Sequence, residues 1–274
     1  MPDFTTSDGL GLHYRLHGPE TAPPVLCLAG LTRSSRDFDY LAQALPEARL
    51  IALDYRGRGR SDWGAPDSYT IPVEARDTLE LMDHLGHDAL PILGTSRGGL
   101  IAMTLAATAK HRLRGVCLND IGPELGAVGL AAIRDYIGRT PAARTLDEAA
   151  DLRAGLVPGF AGVPRARWLQ EARHAFRETD DGLALRYDPA LAETVRAAWA
   201  AHLPDLWPLF DALDGLPLAA LRGANSDLLT PETFAAMRAR RPDMIAAEIP
   251  DRGHVPFLDE PESLDAIRAW LAAL

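Results

Sequence analysis

Short apolar runs and stretches of helical spacing alternate along this chain. Val25-Leu26-Cys27-Leu28, Leu50 to Leu53, Leu90 to Leu93, Leu113 to Leu118, Pro217 to Leu221 and Met244 to Ile249 are four to six residues long and largely apolar. Runs of this kind predict strands buried on both faces, as in a parallel sheet covered by helices. Between them, Arg36 to Leu45, Val73 to Leu85, the stretch from Leu100 to Ala107, Thr230 to Arg241 and Pro261 to Leu274 carry the three-to-four spacing of amphipathic or buried helices. Gly86 suits a helix C-cap, and Thr230 followed by Pro231 is an N-cap signature. At the start, Leu12, Tyr14 and Leu16 alternate with His13, Arg15 and His17 after the turn signal Ser7-Asp8-Gly9, so Asp3 to Gly18 reads as a hairpin at a sheet edge. Strand and helix in strict alternation predict an α/β fold with a mostly parallel, eight-stranded sheet flanked by helices on both faces.

The alternation stops after Ile121-Gly122-Pro123. From about 123 to 206 the periodicity is helical, with candidate helices over Val128–Gly138, Leu146–Gly155, Pro164–Glu178 and Pro189–Ala201, and no strand is expected there. So long and ordered an insertion is not a loop. It reads as a helical cap inserted into a single domain spanning residues 1–274. Phe160, Trp168, Phe176, Tyr187, Trp199 and Trp207 fall in or beside it. Most are expected in the cap core and a minority against a pocket, Trp199 among them.

Composition narrows the class. Hydrophobic residues at 47% and charged residues at 24% are ordinary for a globular protein, and no apolar run is long enough to cross a bilayer. The formal net charge of −10 disfavours nucleic acid and anionic membrane surfaces as partners. The first residues lack a basic-then-apolar leader pattern, so a cytoplasmic location is expected. Cys27 and Cys117 lie in strands that the topology separates by one further strand. With about 4.8 Å between neighbouring strands, they are too far apart to bridge.

The chemistry concentrates at the carboxyl ends of the strands, where open α/β sheets bind ligands. Gly94-Thr95-Ser96-Arg97-Gly98-Gly99 joins the Leu90 strand to the helix after it, with the serine at the apex of a turn too sharp for ordinary side chains two positions either side. Such an elbow holds Ser96 out from the sheet as a nucleophile. A serine needs an imidazole to take its proton, and the imidazole needs a carboxylate. Of eight histidines, His13 and His17 are in the hairpin, His84, His87 and His111 sit at helix ends, and His174 and His202 are in the cap. His254, in the loop past the last strand, is the candidate base. Two aspartates follow strands and compete for the carboxylate, Asp227 and Asp120. Asp227 is preferred because its strand is expected beside the one leading to His254. The oxyanion donors are expected to be the backbone N–H groups of Arg97, at the start of the elbow helix, and of Leu31, in the loop after the Val25 strand.

The Asp54-Tyr55-Arg56-Gly57-Arg58-Gly59-Arg60-Ser61-Asp62 loop is basic and glycine-rich. It lacks the Lys-Ser/Thr end of a phosphate loop, so structural ion pairing is expected. For Arg97 two readings stand level: with Arg33 it binds a carboxylate on the substrate, or it pairs with a cap acid such as Glu124.

Gly30-Leu31-Thr32-Arg33, the Asp54–Asp62 loop, Gly94 to Gly99, Asp227 and Gly253-His254 together resemble the α/β-hydrolase superfamily over nearly the whole chain, most closely serine esterases, enol-lactonases and carbon–carbon bond hydrolases with a helical cap. The order serine, aspartate, histidine matches. The resemblance implies a hydrolase that cleaves a carboxylic ester, lactone or thioester through an acyl-serine, without cofactor or metal, on a small acyl substrate that could itself bear a carboxylate. It leaves open cleavage of a carbon–carbon bond in a vinylogous diketone by the same residues, or a ligand-sensing module without turnover. One position departs from the pattern: Ala29 stands where many members carry a histidine that braces the oxyanion loop.

Overall fold

A computed structural model describes residues 3–200 and 204–274, without the side chains of residues 156 and 198–200. Eight strands form one sheet in the order β1-β2-β4-β3-β5-β6-β9-β10. These are β1 (Asp3–Thr5), β2 (Gly11–His17), β3 (Pro24–Leu28), β4 (Arg49–Leu53), β5 (Leu90–Thr95), β6 (Leu113–Asn119), β9 (Leu218–Gly223) and β10 (Ile245–Ile249). β2 pairs antiparallel with both β1 and β4, and every pairing from β4 to β10 is parallel. The eight-stranded, mostly parallel α/β sheet expected from the alternation is present.

Side-chain alternation explains why the central strands read as unbroken apolar runs. Val25, Cys27, Leu50, Ala52, Leu93, Cys117, Ala219 and Leu221 point to one face. There they meet Phe38 and Leu41 at and in α1 (Asp39–Ala44) and Ala266, Ile267 and Trp270 of α10 (Pro261–Ala272). Leu26, Leu28, Ile51, Leu53, Ile92, Val116 and Leu118 point to the other face. They meet α2 (Ile71–His84), α3 (Arg97–Thr108), α8 (Trp207–Asp211) and α9 (Pro231–Arg240). With both faces covered, no polar position is tolerated in mid-strand. Thr230 caps α9 as its sequence signature predicts, its hydroxyl accepting from the Thr233 N–H. Cys27 and Cys117 are buried free thiols on strands flanking β5, and burial raises the pKa of both. Among the described residues no helix is long and apolar enough to cross a membrane.

Between β6 and β9 the chain forms α4 (Ala127–Tyr136), α5 (Leu146–Leu156), α6 (Arg165–Ala175), a hairpin of β7 (Phe176–Thr179) with β8 (Gly182–Leu185), and α7 (Leu191–Ala200). The hairpin corrects the all-helical expectation for this stretch. Helical spacing runs only to Ala175; Phe176 to Thr179 then pairs with Gly182 to Leu185 around Asp180 and Asp181, and Gly182 takes a φ of +119°. Asp181-Gly182 is a hairpin turn signal, and Leu183 and Leu185 alternate inward, so the pattern was present but overlaid by a helix-like stretch before it. The insertion is fastened to the sheet side by backbone bonds from Gly59 N–H to the Arg186 carbonyl (3.1 Å), from Asp188 N–H to Gly57 (2.8 Å) and from Ala161 N–H to Asp251 (3.1 Å).

Trp270 is fully buried against the strands, and its indole N–H donates to the Pro217 carbonyl at 3.2 Å. Trp270→Ala therefore creates a large cavity and removes one of the two hydrogen bonds that the Pro217 carbonyl accepts, the other coming from the Val116 N–H at 2.9 Å. A loss of about 3–5 kcal/mol is expected in urea denaturation, with far-UV circular dichroism of the folded protein unchanged.

Candidate functional site

The serine elbow is built from backbone collisions that only glycine avoids. Ser96 sits at φ 50°, ψ −112°, outside the ordinary regions for a side-chain-bearing residue. A Cβ on Gly94 would lie 2.5 Å from the Gly98 carbonyl carbon, and one on Gly98 would lie 2.1 Å from the Leu28 carbonyl oxygen. The elbow is thus pressed onto the end of β3, the neighbouring strand. The Gly98 N–H donates to the Ala29 carbonyl (3.1 Å) and the Ser96 N–H to Asn119 (3.0 Å). The strain at one residue is held by hydrogen bonds to both adjacent strands.

Sheet register then decides what meets the serine. Leu28, Gly94, Leu118 and Ala220 lie side by side across β3, β5, β6 and β9. Residues just beyond these positions share one rim. His254 Nε2 lies 3.0 Å from Ser96 Oγ, and His254 Nδ1 lies 2.7 Å from an oxygen of Asp120. Ser96 and His254 are therefore brought together as the sequence predicts. Asp227 is not the carboxylate that meets the imidazole; Asp120 is.

The reason is strand order. β6 lies between β5 and β9, so the residue past its end is nearest the gap between serine and histidine. Asp120 turns sharply there at φ +55° and is fully buried. Its other contacts come from the loop after β9: the Gly223 N–H donates to it at 2.8 Å and the Ser226 hydroxyl at 2.6 Å. The loop carrying Asp227 thus supports the acid instead of supplying it. Asp227 lends its carbonyl to the Gly129 N–H of the cap.

The expected oxyanion donors are well placed. The Arg97 N–H is at the free amino end of α3, and among the described residues neither it nor the Leu31 N–H has an acceptor. Between them lies Gly30, whose missing Cβ would stand 3.9 Å from Ser96 Cβ. Ala29, in place of a bracing histidine, holds this loop through its carbonyl, which accepts from Gly98 and from the Tyr55 hydroxyl at 3.2 Å.

Neither arginine proposed to bind a substrate carboxylate is free. Arg97 donates from Nε to Glu74 (2.6 Å) and from Nη2 to the Tyr69 carbonyl (2.9 Å), so its partner is Glu74 and not Glu124. Arg33 donates to Asp37 (2.7 Å) and Glu171 (2.6 Å). The Trp199 side chain and His202 lie outside the described residues. The basic loop is a scaffold of ion pairs, as expected, but its partners come from α2 and, for Arg56, also from Asp8 in the turn between β1 and β2 (3.0 Å). Arg56 forks onto Asp77 at 2.6 and 2.7 Å, and Arg58 lies 2.8 Å from Glu74, at an angle that leaves that oxygen without a well-formed hydrogen bond. Burial raises the pKa of Asp77 against the pull of Arg56, and burial lowers that of Arg58 against the pull of Glu74.

A family model for the alpha/beta hydrolase fold matches residues 23–261. The chain belongs to the alpha/beta hydrolase family. This hydrolase is 37% identical over 268 residues to the 3-hydroxybutyrate-oligomer hydrolase of Cupriavidus necator, covering 93% of this chain and 91% of that protein. Among solved structures it is similar to an alpha/beta hydrolase from Novosphingobium aromaticivorans, with TM-score 0.91 and 39% identity over 100% of this chain and 98% of that one. It is also similar to E-2-(acetamidomethylene)succinate hydrolase, with TM-score 0.82, 25% identity and 99% of each chain covered.

Two outcomes test the site. Asp120→Asn should lower kcat by about 10³- to 10⁴-fold through loss of imidazole orientation, whereas Asp227→Asn should stay within about threefold of wild type, both read by steady-state ester hydrolysis. Glu74→Gln leaves Arg58 and Arg97 buried against a neutral partner, and a loss of about 3–5 kcal/mol is expected in chemical denaturation.

Proposed function

We propose that this hydrolase cleaves carboxylic esters, and specifically the ester links of short linear 3-hydroxyalkanoate oligomers, with Ser96, His254 and Asp120 as its reacting groups. The observation that carries the reading is the line of contacts from Ser96 Oγ to His254 Nε2 and from His254 Nδ1 to Asp120. A carboxylate at Nδ1 fixes the proton there and leaves the Nε2 lone pair facing the serine hydroxyl.

In this reading Nε2 takes the hydroxyl proton as Oγ attacks the acyl carbon. The negative charge that develops on the carbonyl oxygen is received by the N–H groups of Arg97 and Leu31. The imidazolium, facing buried Asp120, returns its proton to the leaving alkoxide, and the C–O bond to the alcohol breaks. Water, deprotonated by the same Nε2, then releases the acid from Ser96. From a hydroxyalkanoate dimer both products are the same hydroxy acid.

The ester reading is favoured over the carbon–carbon alternative by the relative that covers nearly the whole chain, whose name specifies oligomers of 3-hydroxybutyrate. The second solved relative is named for a succinate, a substrate with free carboxylates. Lactones and thioesters remain chemically within reach of the same groups, because each has an acyl carbon and a leaving group that one proton neutralises.

Incubation with the linear dimer and trimer of 3-hydroxybutyrate should give the monomer by liquid chromatography. Ser96→Ala should reduce the rate by about 10⁶-fold and abolish labelling by a fluorophosphonate. Intact oligomer with the wild type, or full rate with the alanine variant, would overturn the reading.

A further inference from the structure

Arg33 bridges the loop that follows β3 and the insertion. Its Nε bonds Asp37 and its Nη2 bonds an oxygen of Glu171. The second Glu171 oxygen accepts from the Tyr40 hydroxyl at 2.8 Å. A second guanidinium comes down from α5: Arg153 Nη2 stands 3.9 Å from the Glu171 oxygen already bonded to Arg33. The two arginines balance the two carboxylates in formal charge, yet of the two guanidiniums only Arg33 hydrogen-bonds to them.

Among the described residues the Arg153 guanidinium makes no hydrogen bond, and its Nε is buried without a partner. The side chain nevertheless keeps 29% of its surface open. With Nε closed off, the open surface lies elsewhere on the side chain. Beside it, Tyr136 at the end of α4 is 48% exposed, with its phenol close to the Thr32 side chain. Burial lowers the pKa of Arg153 and raises that of Tyr136, although both keep open surface. Arg153 on α5 and Tyr136 on α4 thus both keep open surface on the side of the insertion that faces the loop of Leu31, Thr32 and Arg33. Leu31 is the expected oxyanion donor, and a Cβ on Gly30 before it would stand 3.9 Å from Ser96 Cβ.

We propose that Arg153 is the anchor for a free carboxylate on the substrate, so that the enzyme selects esters whose acyl or alcohol part ends in an acid. A guanidinium with unused donors on a partly open side chain offers a carboxylate two parallel bonds, which Arg33 and Arg97, with their carboxylate partners already engaged, do not. The inference rests on the ester reading above and names what that site recognises. It also assigns the cap a purpose, since the anchor lies on α5 and the reacting groups on the sheet.

The test keeps binding separate from turnover. Calorimetry on Ser96→Ala, which retains the site without the nucleophile, compares the linear 3-hydroxybutyrate dimer as free acid with its methyl ester. The acid should bind more tightly. In Ser96→Ala/Arg153→Gln the acid-to-methyl-ester affinity ratio should fall by about 10- to 100-fold, and Arg153→Lys should restore part of it. The same ratio should fall in kcat/KM when Arg153→Gln is made in the active enzyme. An unchanged ratio, or equal losses on acid and methyl ester, overturns the role of Arg153. A changed ratio in binding with no hydrolysis of either compound by the wild type keeps the anchor and overturns the ester reading instead.

Discussion

The fold of this site depends on one contact between backbones: α3 enters against the end of β3 so closely that Gly98 abuts the Leu28 carbonyl. That approach fixes three things at once. It forces Ser96 into its positive-φ conformation. It turns the N–H groups at the start of α3 toward the loop holding Gly30 and Leu31. It also lets Gly98 bond the Ala29 carbonyl, so the serine elbow and the loop facing it are joined as one piece. A reacting group held this way does not have to be ordered at the moment of reaction.

Behind that piece lies a second layer of fixed charge. Glu74 and Asp77 of α2, both fully buried, take Arg97, Arg58 and Arg56 from three directions. Such pairs cost desolvation and are weak evidence of net stability. Their geometry has a clearer role. Arg97 directly follows Ser96, and pinning its side chain to Glu74 and to the Tyr69 carbonyl holds the first turn of α3 in place. The long basic loop, read in sequence as a site of structural ion pairing, is spent on this internal lattice.

Much of this was legible in the sequence, because it rests on local rules. Unbroken apolar runs mean strands covered on both faces, and two glycines around a serine mean an elbow. What depended on strand order was not. Asp227 and Asp120 both follow strands, and nothing in the spacing tells which of the two loops turns its carboxylate toward the imidazole. The register of β6 against β5, with Thr95 opposite Asn119, is a tertiary fact. The partner of Arg97 was hidden likewise: Glu74 lies on a helix 23 residues earlier, and only packing of α2 against α3 brings it near. The β7–β8 hairpin did leave a local signal at Asp181-Gly182. Apolar residues at helix-compatible intervals before it masked the change of period.

The insertion is not attached evenly. Its α6 side is bolted to the histidine loop: Arg167 pairs with Asp259 and stacks 3.7 Å from the Tyr40 ring, Asn225 donates to the Gly159 carbonyl, and a Cβ on Gly253 would strike the Pro158 carbonyl at 2.6 Å. Around α4 the attachments differ, and Val128 and Tyr136 remain exposed. Lifting the bolted side would drag on the segment that positions the imidazole. The start of α4 is tied in turn to the loop behind Asp120, through Gly126 N–H to the Leu228 carbonyl and Gly129 N–H to the Asp227 carbonyl, so the insertion braces the imidazole from one side and its carboxylate from the other.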